Sequence, residues 1–121
     1  VANVAVEVGD TTISFGTTTT TSITANQTIA TFAISGSQVT GIEFLVKGYD
    51  SPGLKYSVAT VLAVTDGNIS TNNIDYTIYS TVRLGTSTGS LAVNMDGSNI
   101  ALQVTPTSSN STVWTTQIRT I

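Results

Sequence analysis

Apolar residues in this chain recur at every second position and nowhere at helical spacing, and that alternation limits its possible folds more than any other feature. Val4, Val6 and Val8 alternate with Ala5 and Glu7, and Ala30, Phe32 and Ile34 follow the same rule. So do Ile42, Phe44 and Val46, then Leu91, Val93 and Met95, then Ile100, Leu102 and Val104. A period of two is the mark of a strand with one buried face. Turn chemistry separates the runs: Gly9-Asp10, GSQVTG after Ile34, DGNISTNN, GTSTG, Asp96-Gly97 and SSN after Pro106. The predicted fold class is all-β, an antiparallel β-sandwich, jelly-roll-like, with about 8 to 9 strands.

Local detail follows from the same reading. Val4 to Val8 and Ile13 to Phe15 form an opening hairpin, and Leu91 to Val104 fold about Asp96-Gly97 as a tight one. Ser51-Pro52-Gly53-Leu54 fits a type II turn, with Pro presetting the second position and Gly accepting positive φ at the third. The return arm, KYSVATVLAVTDG, is apolar on both faces from Val58 to Val64, the pattern of a central strand covered on both sides. Ile74, Tyr76, Ile78, Val82 and Leu84 mark a long strand interrupted at Ser80. The hydroxyl-rich stretch from Gly16 to Thr28 reads equally as an exposed edge strand or a mobile loop. Trp114, Thr116 and Ile118 share one face of the last strand, so the only Trp is expected in the core.

Composition removes most chemistry. With 121 residues the chain suits one module, residues 1–121, with one core. It has no Cys and no His, which excludes thiolate nucleophiles, imidazole bases, the usual zinc ligands and disulfides. Charged residues make up 9%, against about a quarter in an average soluble domain. About three residues in ten are Ser or Thr, so the polar surface is hydroxyl and amide, and the branched Cβ of Thr favours strands. A net charge of -3 with only Lys47, Lys55, Arg83 and Arg119 as cations cannot make a basic stripe for a phosphate backbone. No nucleic acid partner is expected. No apolar run is long enough for a membrane helix, and the first residues lack the pattern of a signal peptide, so no membrane insertion is expected. The missing initiator Met leaves excision from a longer polypeptide open.

No catalytic residues, cofactor or metal site are expected. The acids Glu7, Asp10, Glu43, Asp50, Asp66, Asp75 and Asp96 fall in no motif that holds two carboxylates across one bond. Asp50, Asp66 and Asp96 adjoin turn-forming Gly or Pro, where a carboxylate caps local amides. Asp66, Asn68, Asn72 and Asp75 offer hard oxygen ligands in one loop, but without the spacing of a calcium-binding EF-hand. There is no GxSxG elbow. Three Asn-X-Ser/Thr triplets begin at Asn26, Asn68 and Asn110, and in so Asn- and Thr-rich a chain they decide nothing.

Two kinds of surface site are candidates. Leu45, Tyr49, Val61 and Tyr79 are read as opposite Ile42/Phe44, Leu62/Val64 and Ile78, so a two-layer sandwich leaves them exposed as interface residues. Either another copy of the chain covers them, or the segment Thr17 to Thr28 folds over them within one subunit. A ligand-stacking role for Trp114 or Tyr76, with Tyr49 and Tyr79, is the lesser expectation and would mark a glycan-binding module. A third alternative is a surface filament in which Val1 to Val8 inserts into a neighbour, recognisable by that strand's absence from its own sheet.

From Lys55 to Ile121 the order of features is an aromatic-led strand (Tyr56 to Val64), the Asp66-Gly67 turn and a Tyr-containing strand. A Gly-Ser-Leu strand (Gly89 to Val93), a Gly turn, NIALQVTPTSSNSTV and a last strand ending Arg-Thr-Ile complete it. This order resembles the C-terminal β-module of virion structural and tail-fibre-like proteins from marine tailed phages, including cyanophages. The resemblance implies a non-enzymatic virion module in a tail fibre, baseplate appendage or capsid decoration, located on the virion surface. Its partners would be other copies of itself, other virion proteins and a host cell-surface glycan. The resemblance also favours a trimer and implies that Arg119 and Ile121 tie the last strand into its sheet.

Overall fold

The computed structural model describes residues 4–8, 11–34, 39–68 and 73–121, with side chains from Ile13 onward. It contains β1 (Val4–Val8), β2 (Thr11–Thr20), β3 (Gln27–Ala33), β4 (Thr40–Asp50), β5 (Lys55–Thr65), β6 (Ile74–Leu84), β7 (Gly89–Asp96), β8 (Asn99–Pro106) and β9 (Thr112–Thr120). All pairings are antiparallel. One sheet has six strands in the order β1-β2-β9-β4-β5-β6, and the other has three, β3-β8-β7. The protein is a β-sandwich. The chain crosses between sheets from β2 to β3, β3 to β4, β6 to β7 and β8 to β9, while β4-β5-β6 run as a plain meander.

The alternating runs supply the core. Ile42, Phe44 and Val46 of β4 and Ile100, Leu102 and Val104 of β8 face one another across the layers, each at most 2% exposed. Trp114 lies among them at 2% exposure, opposite Gly48 in the pairing of β9 with β4. Its indole N–H donates to Thr20 Oγ1 at 2.9 Å, so the one polar atom of the ring is satisfied inside the core. Gly48 is small for a steric reason: a Cβ there would stand 2.6 Å from Trp114 Cζ3 and 2.9 Å from Thr88 Oγ1.

The Thr-rich segment is divided. Thr17 to Thr20 continue β2 and pair with β9, residues 21–26 form the crossing to β3, and Gln27 and Thr28 open β3. The segment therefore does not cover Leu45, Tyr49 or Tyr79. Instead Thr18 Oγ1 donates to Ile29 O at 3.0 Å, a bridge between the sheets. The predicted turn at Gly9-Asp10 and most of the break after Ile34 lie outside the described residues. The hairpin they were to close is present, with Val4 opposite Phe15 and Val8 opposite Thr11.

Other turns divide between agreement and correction. Asp96 pairs with Asn99 across two residues, with Gly97 at φ +60°, so Gly occupies the first central position of a two-residue hairpin. The turn at 51–54 closes with Leu54 N–H donating to Ser51 O at 3.2 Å. It is not type II, because positive φ falls on Leu54 (+54°) and Gly53 keeps negative φ. The cause is Asp50, whose Oδ1 accepts the Gly53 N–H at 3.0 Å. Gly is needed there for close approach, since a Cβ would lie 2.6 Å from Asp50 Oδ2. Asp50 is itself 1% exposed and also accepts Asn110 Nδ2 at 3.2 Å, tying this hairpin to the β8–β9 connection.

Two strands depart from the expected parity. In β5 the pairing of Val61 with Phe44 turns Ala59, Val61 and Ala63 inward and leaves Val58, Leu62 and Val64 39%, 46% and 52% exposed. β5 is therefore buried on one face only, and Val61, at 0% exposure, is a core residue and not part of an exposed face. In β6 the interruption at Ser80 is a β-bulge. Ser80 has φ +56°, and Val58 pairs with Val82 while Thr60 pairs with Tyr79, so Ser80 and Thr81 both oppose Ala59. The extra residue reverses the alternation and carries Val82 and Leu84 to the outer face.

Replacing Gly48 by Ala forces a methyl group into the indole and should lower stability by about 1–3 kcal/mol, whereas Trp114→Ala should cost about 3–5 kcal/mol. Denaturant titration of both variants checks this. An unchanged midpoint for either would place the indole elsewhere.

Candidate functional site

The register of β9, β4, β5 and β6 arranges the outer face of the large sheet in rows. Tyr49 pairs with Val113 and Tyr56, and Tyr56 with Leu84. The next rows are Thr115–Lys47–Val58–Val82, Gln117–Leu45–Thr60–Tyr79 and Arg119–Glu43–Leu62–Thr77. Partners directly opposite in an antiparallel pair share a face, so these side chains form one surface. Beyond the last row, Gly41 pairs with Val64 and Val64 with Asp75. There the backbones of Gly41 and Ile121 exchange hydrogen bonds of 3.0 and 3.3 Å, which ties the last residue to β4.

Polar contacts cross this face. Arg119 Nη2 lies 2.6 Å from Glu43 Oε1, and Tyr79 Oη donates to Glu43 Oε2 at 2.9 Å across β5. The cluster joins β9, β4 and β6 through one carboxylate. With the Arg119 side chain 56% exposed, the ion pair itself contributes little to stability. The Glu43 hydrogen bond, with smaller contributions from desolvation and the Glu43 charge, raises the pKa of the Tyr79 phenol above its usual value, and the Arg119 charge opposes the shift.

Of the residues singled out from sequence, Leu45, Tyr49 and Tyr79 lie on this outer face, 41%, 43% and 41% exposed, while Val61 does not. Trp114 is enclosed and offers no face to a ligand. Tyr76 pairs with Ala63, on the inner side of β6, where the narrower sheet leaves it 38% exposed. It shares no surface with Tyr49 or Tyr79. Tyr49 contacts Tyr56 at a centroid distance of 5.5 Å with planes tilted by 47°, so the two rings form no flat platform. Sequence reasoning overlooked Leu62, Val64, Val82 and Leu84 as outward residues. The signal was present as the double-sided apolar character of β5 and the break at Ser80.

Asp66 is occupied within its own loop. Asp66 Oδ1 accepts the Asn68 N–H and Oδ2 accepts Asn73 Nδ2, both at 2.8 Å, and these bonds hold its pKa below the usual carboxylate value. The loop proposed as a weak calcium candidate thus uses its first carboxylate for local capping, and Asn72 lies outside the described residues. Among the described residues no three His, Cys, Asp or Glu side chains gather as a metal site. Nor does any buried side-chain nitrogen or oxygen among them lack a partner.

No family model and no curated protein matches the chain. Solved structures do. The tailspike protein of Acinetobacter baumannii phage AM24 matches with a TM-score of 0.53 at 11% identity, covering 89% of this chain and 26% of that one. The fold is similar to a portion of phage tailspike proteins. A tailspike of Acinetobacter baumannii bacteriophage Fri1, described as a capsular polysaccharide depolymerase, matches at 0.54 and 9% identity, over 97% of this chain and 19% of its own. The tailspike of Acinetobacter phage vB_ApiP_P1 matches at 0.53 and 16% identity, over 88% and 21%. Identities this low show a shared fold alone, and the chain spans only about a fifth to a quarter of each tailspike.

The Glu43 contact predicts that one of the four tyrosines titrates above the usual value near 10. A raised phenol pKa stabilises the fold below about pH 10, and this contribution is lost as pH rises through the folded-state value. Ultraviolet titration of tyrosinate should show a late-titrating group that returns to normal in Glu43→Gln. Coincident titration of all tyrosines in both proteins would contradict the contact.

Proposed function

We propose that this chain is a non-enzymatic structural module, residues 1–121, of a phage tail appendage, displayed on the virion surface and serving assembly and attachment to the host. The observation that carries the reading is the asymmetry of coverage. The tailspike likeness takes in 88–97% of this chain but only 19–26% of the tailspikes. That is what a module shared among longer appendage proteins looks like. A tail fibre or spike is favoured over a baseplate appendage or capsid decoration because the similar proteins are tailspikes.

The side chains support a non-enzymatic role. Glycoside hydrolysis without His needs two carboxylates flanking one bond, and Glu43, Asp50 and Asp66 are each engaged by separate partners. In this reading the chain itself carries no depolymerase activity. The module needs no cofactor or metal, and its partners are virion proteins and the host surface, with capsular polysaccharide as the candidate glycan. The filament alternative loses its support because β1 is paired in its own sheet.

Antibodies against the purified chain, used for immunogold electron microscopy of the phage that encodes it, should label tail appendages. Capsid labelling or none would overturn the assignment. The purified chain should release no reducing ends from capsular polysaccharide, and sustained release would overturn the non-enzymatic reading.

A further inference from the structure

One strained residue maintains an arrangement that the core does not need. Ser80 is held at φ +56°, a conformation that L side chains rarely adopt, and it forms the β-bulge of β6. On the inner side of β6, Ile78 pairs with the core residue Val61. Unbroken alternation from Ile78 would next turn Val82 and Leu84 inward and Arg83 out to solvent. The extra residue does the opposite. Val82 and Leu84 stand 68% and 70% exposed, and Arg83 pairs with Ser57 on the inner side. Two apolar side chains are left in water while a cation faces the space between the layers, and bulges re-aim side chains in this way beside binding sites.

Arg83 opens onto a cleft of about 230 Å³ between β6 and the start of β7. Its sides are apolar at Ala59, Ile78 and Leu91, and Val46 and Trp114 close it below. Its polar lining can donate: Arg83, the hydroxyls of Thr81 and Ser90, and the Ser57–Thr88 pair, with no carboxylate among the lining residues. Ser57 Oγ and Thr88 Oγ1 lie 2.6 Å apart, and either can donate to the other. Two hydroxyls carry two hydrogens and this bond uses one, so the second is left for an acceptor in the cleft. Thr88 is only 3% exposed, so that hydrogen lies away from bulk water. Arg83 has no hydrogen-bond or ion-pair partner among the described residues.

This lining selects a class of ligand. Uncommitted N–H and O–H groups call for an acceptor-rich anion, and a planar guanidinium matches the two oxygens of a carboxylate. The apolar walls call for a carbon ring beside that carboxylate. The volume lies below the roughly 300 Å³ at which sites for drug-sized ligands begin, so the cleft takes one ring and not a chain of them. Thr81 and Ser90 match hydroxyl groups on that ring. A pyranose bearing a carboxylate meets every one of these demands.

We infer that the cleft between β6 and β7 binds one acidic sugar unit of a host-surface polysaccharide, with its carboxylate on Arg83 and the Ser57–Thr88 pair and its ring between Ile78 and Leu91. The inference rests on the host-attachment reading above and gives that reading a site on this chain. It requires neither the outer face of the large sheet nor a particular oligomeric state.

The probes are a galacturonate tetrasaccharide and its fully methyl-esterified, neutral form. Amide resonances of the purified chain should show saturable shifts at Ser57, Arg83, Thr88 and Ser90 with the acid. The ester, and the acid with Arg83→Gln, should each bind at least about tenfold more weakly, the scale of one lost charge-assisted hydrogen bond. Arg83→Lys should lose less, and Lys47→Gln, on the outer face, should bind as the parent chain does, with circular dichroism the same for all. No shift at these residues with millimolar acid, equal affinity for the ester, or equally tight binding of acetate alone would overturn the inference. If immunogold labels tail appendages while the acid does not bind, this site fails and the appendage role stands.

Discussion

Everything in the large sheet depends on the insertion of β9 between β2 and β4. In the order β1-β2-β9-β4-β5-β6, the opening hairpin and the β4-β5-β6 meander touch no common strand except β9. The ninth strand therefore joins the first two to the middle of the chain. Such non-local pairings cost loop-closure entropy before they are repaid. The repayment here is concentrated in Trp114, whose ring packs over Gly48 on one neighbour and hydrogen-bonds Thr20 on the other. One side chain thus fastens both seams.

The unequal sheets set the rest. Three strands cannot cover six, so burial is complete beneath β9, β4 and β5 and lapses toward β6, where Tyr76 and Ile78 overhang at 38% and 41% exposure. The large sheet then has an apolar exterior that the described residues leave uncovered. Contiguous apolar exteriors of this kind mark interaction surfaces. The exterior of the β3-β8-β7 sheet is polar instead, with Asn94, Gln103 and Thr28 hydrogen-bonded across it.

Much of this was legible in the sequence, and the failures have identifiable causes. Where one parity is apolar throughout and the other is not, as in Ile42–Phe44–Val46 or Ile100–Leu102–Val104, the inward face could be read directly. Val58 to Val64 gave no such preference, since both parities are apolar, and only the register with Phe44 determines that Val61 is inside. The smaller Ala59 and Ala63 go inward because large neighbours, Ile42 and Phe44 among them, already fill that layer. At Ser80 the sequence showed an interruption, but the positive φ that reverses the alternation is a property of the paired strands. Thr20 and Asn110 were invisible as partners of Trp114 and Asp50, because nothing local identifies a hydrogen bond spanning 94 or 60 residues. The apolar outer face was foreseen through Leu45, Tyr49 and Tyr79, while its full extent required the β5 register and the β6 bulge.

Native-state hydrogen exchange measured against denaturant tests the role of β9 most directly, because it reports the opening free energy of each strand separately. If β9 is the seam, the hydrogen-bonded amides of Thr112–Thr120 exchange only with global unfolding, together with those of β4, while β1 at the sheet edge opens earlier. Loss of β9 protection at low denaturant, with β4 and β5 still protected, would contradict the account.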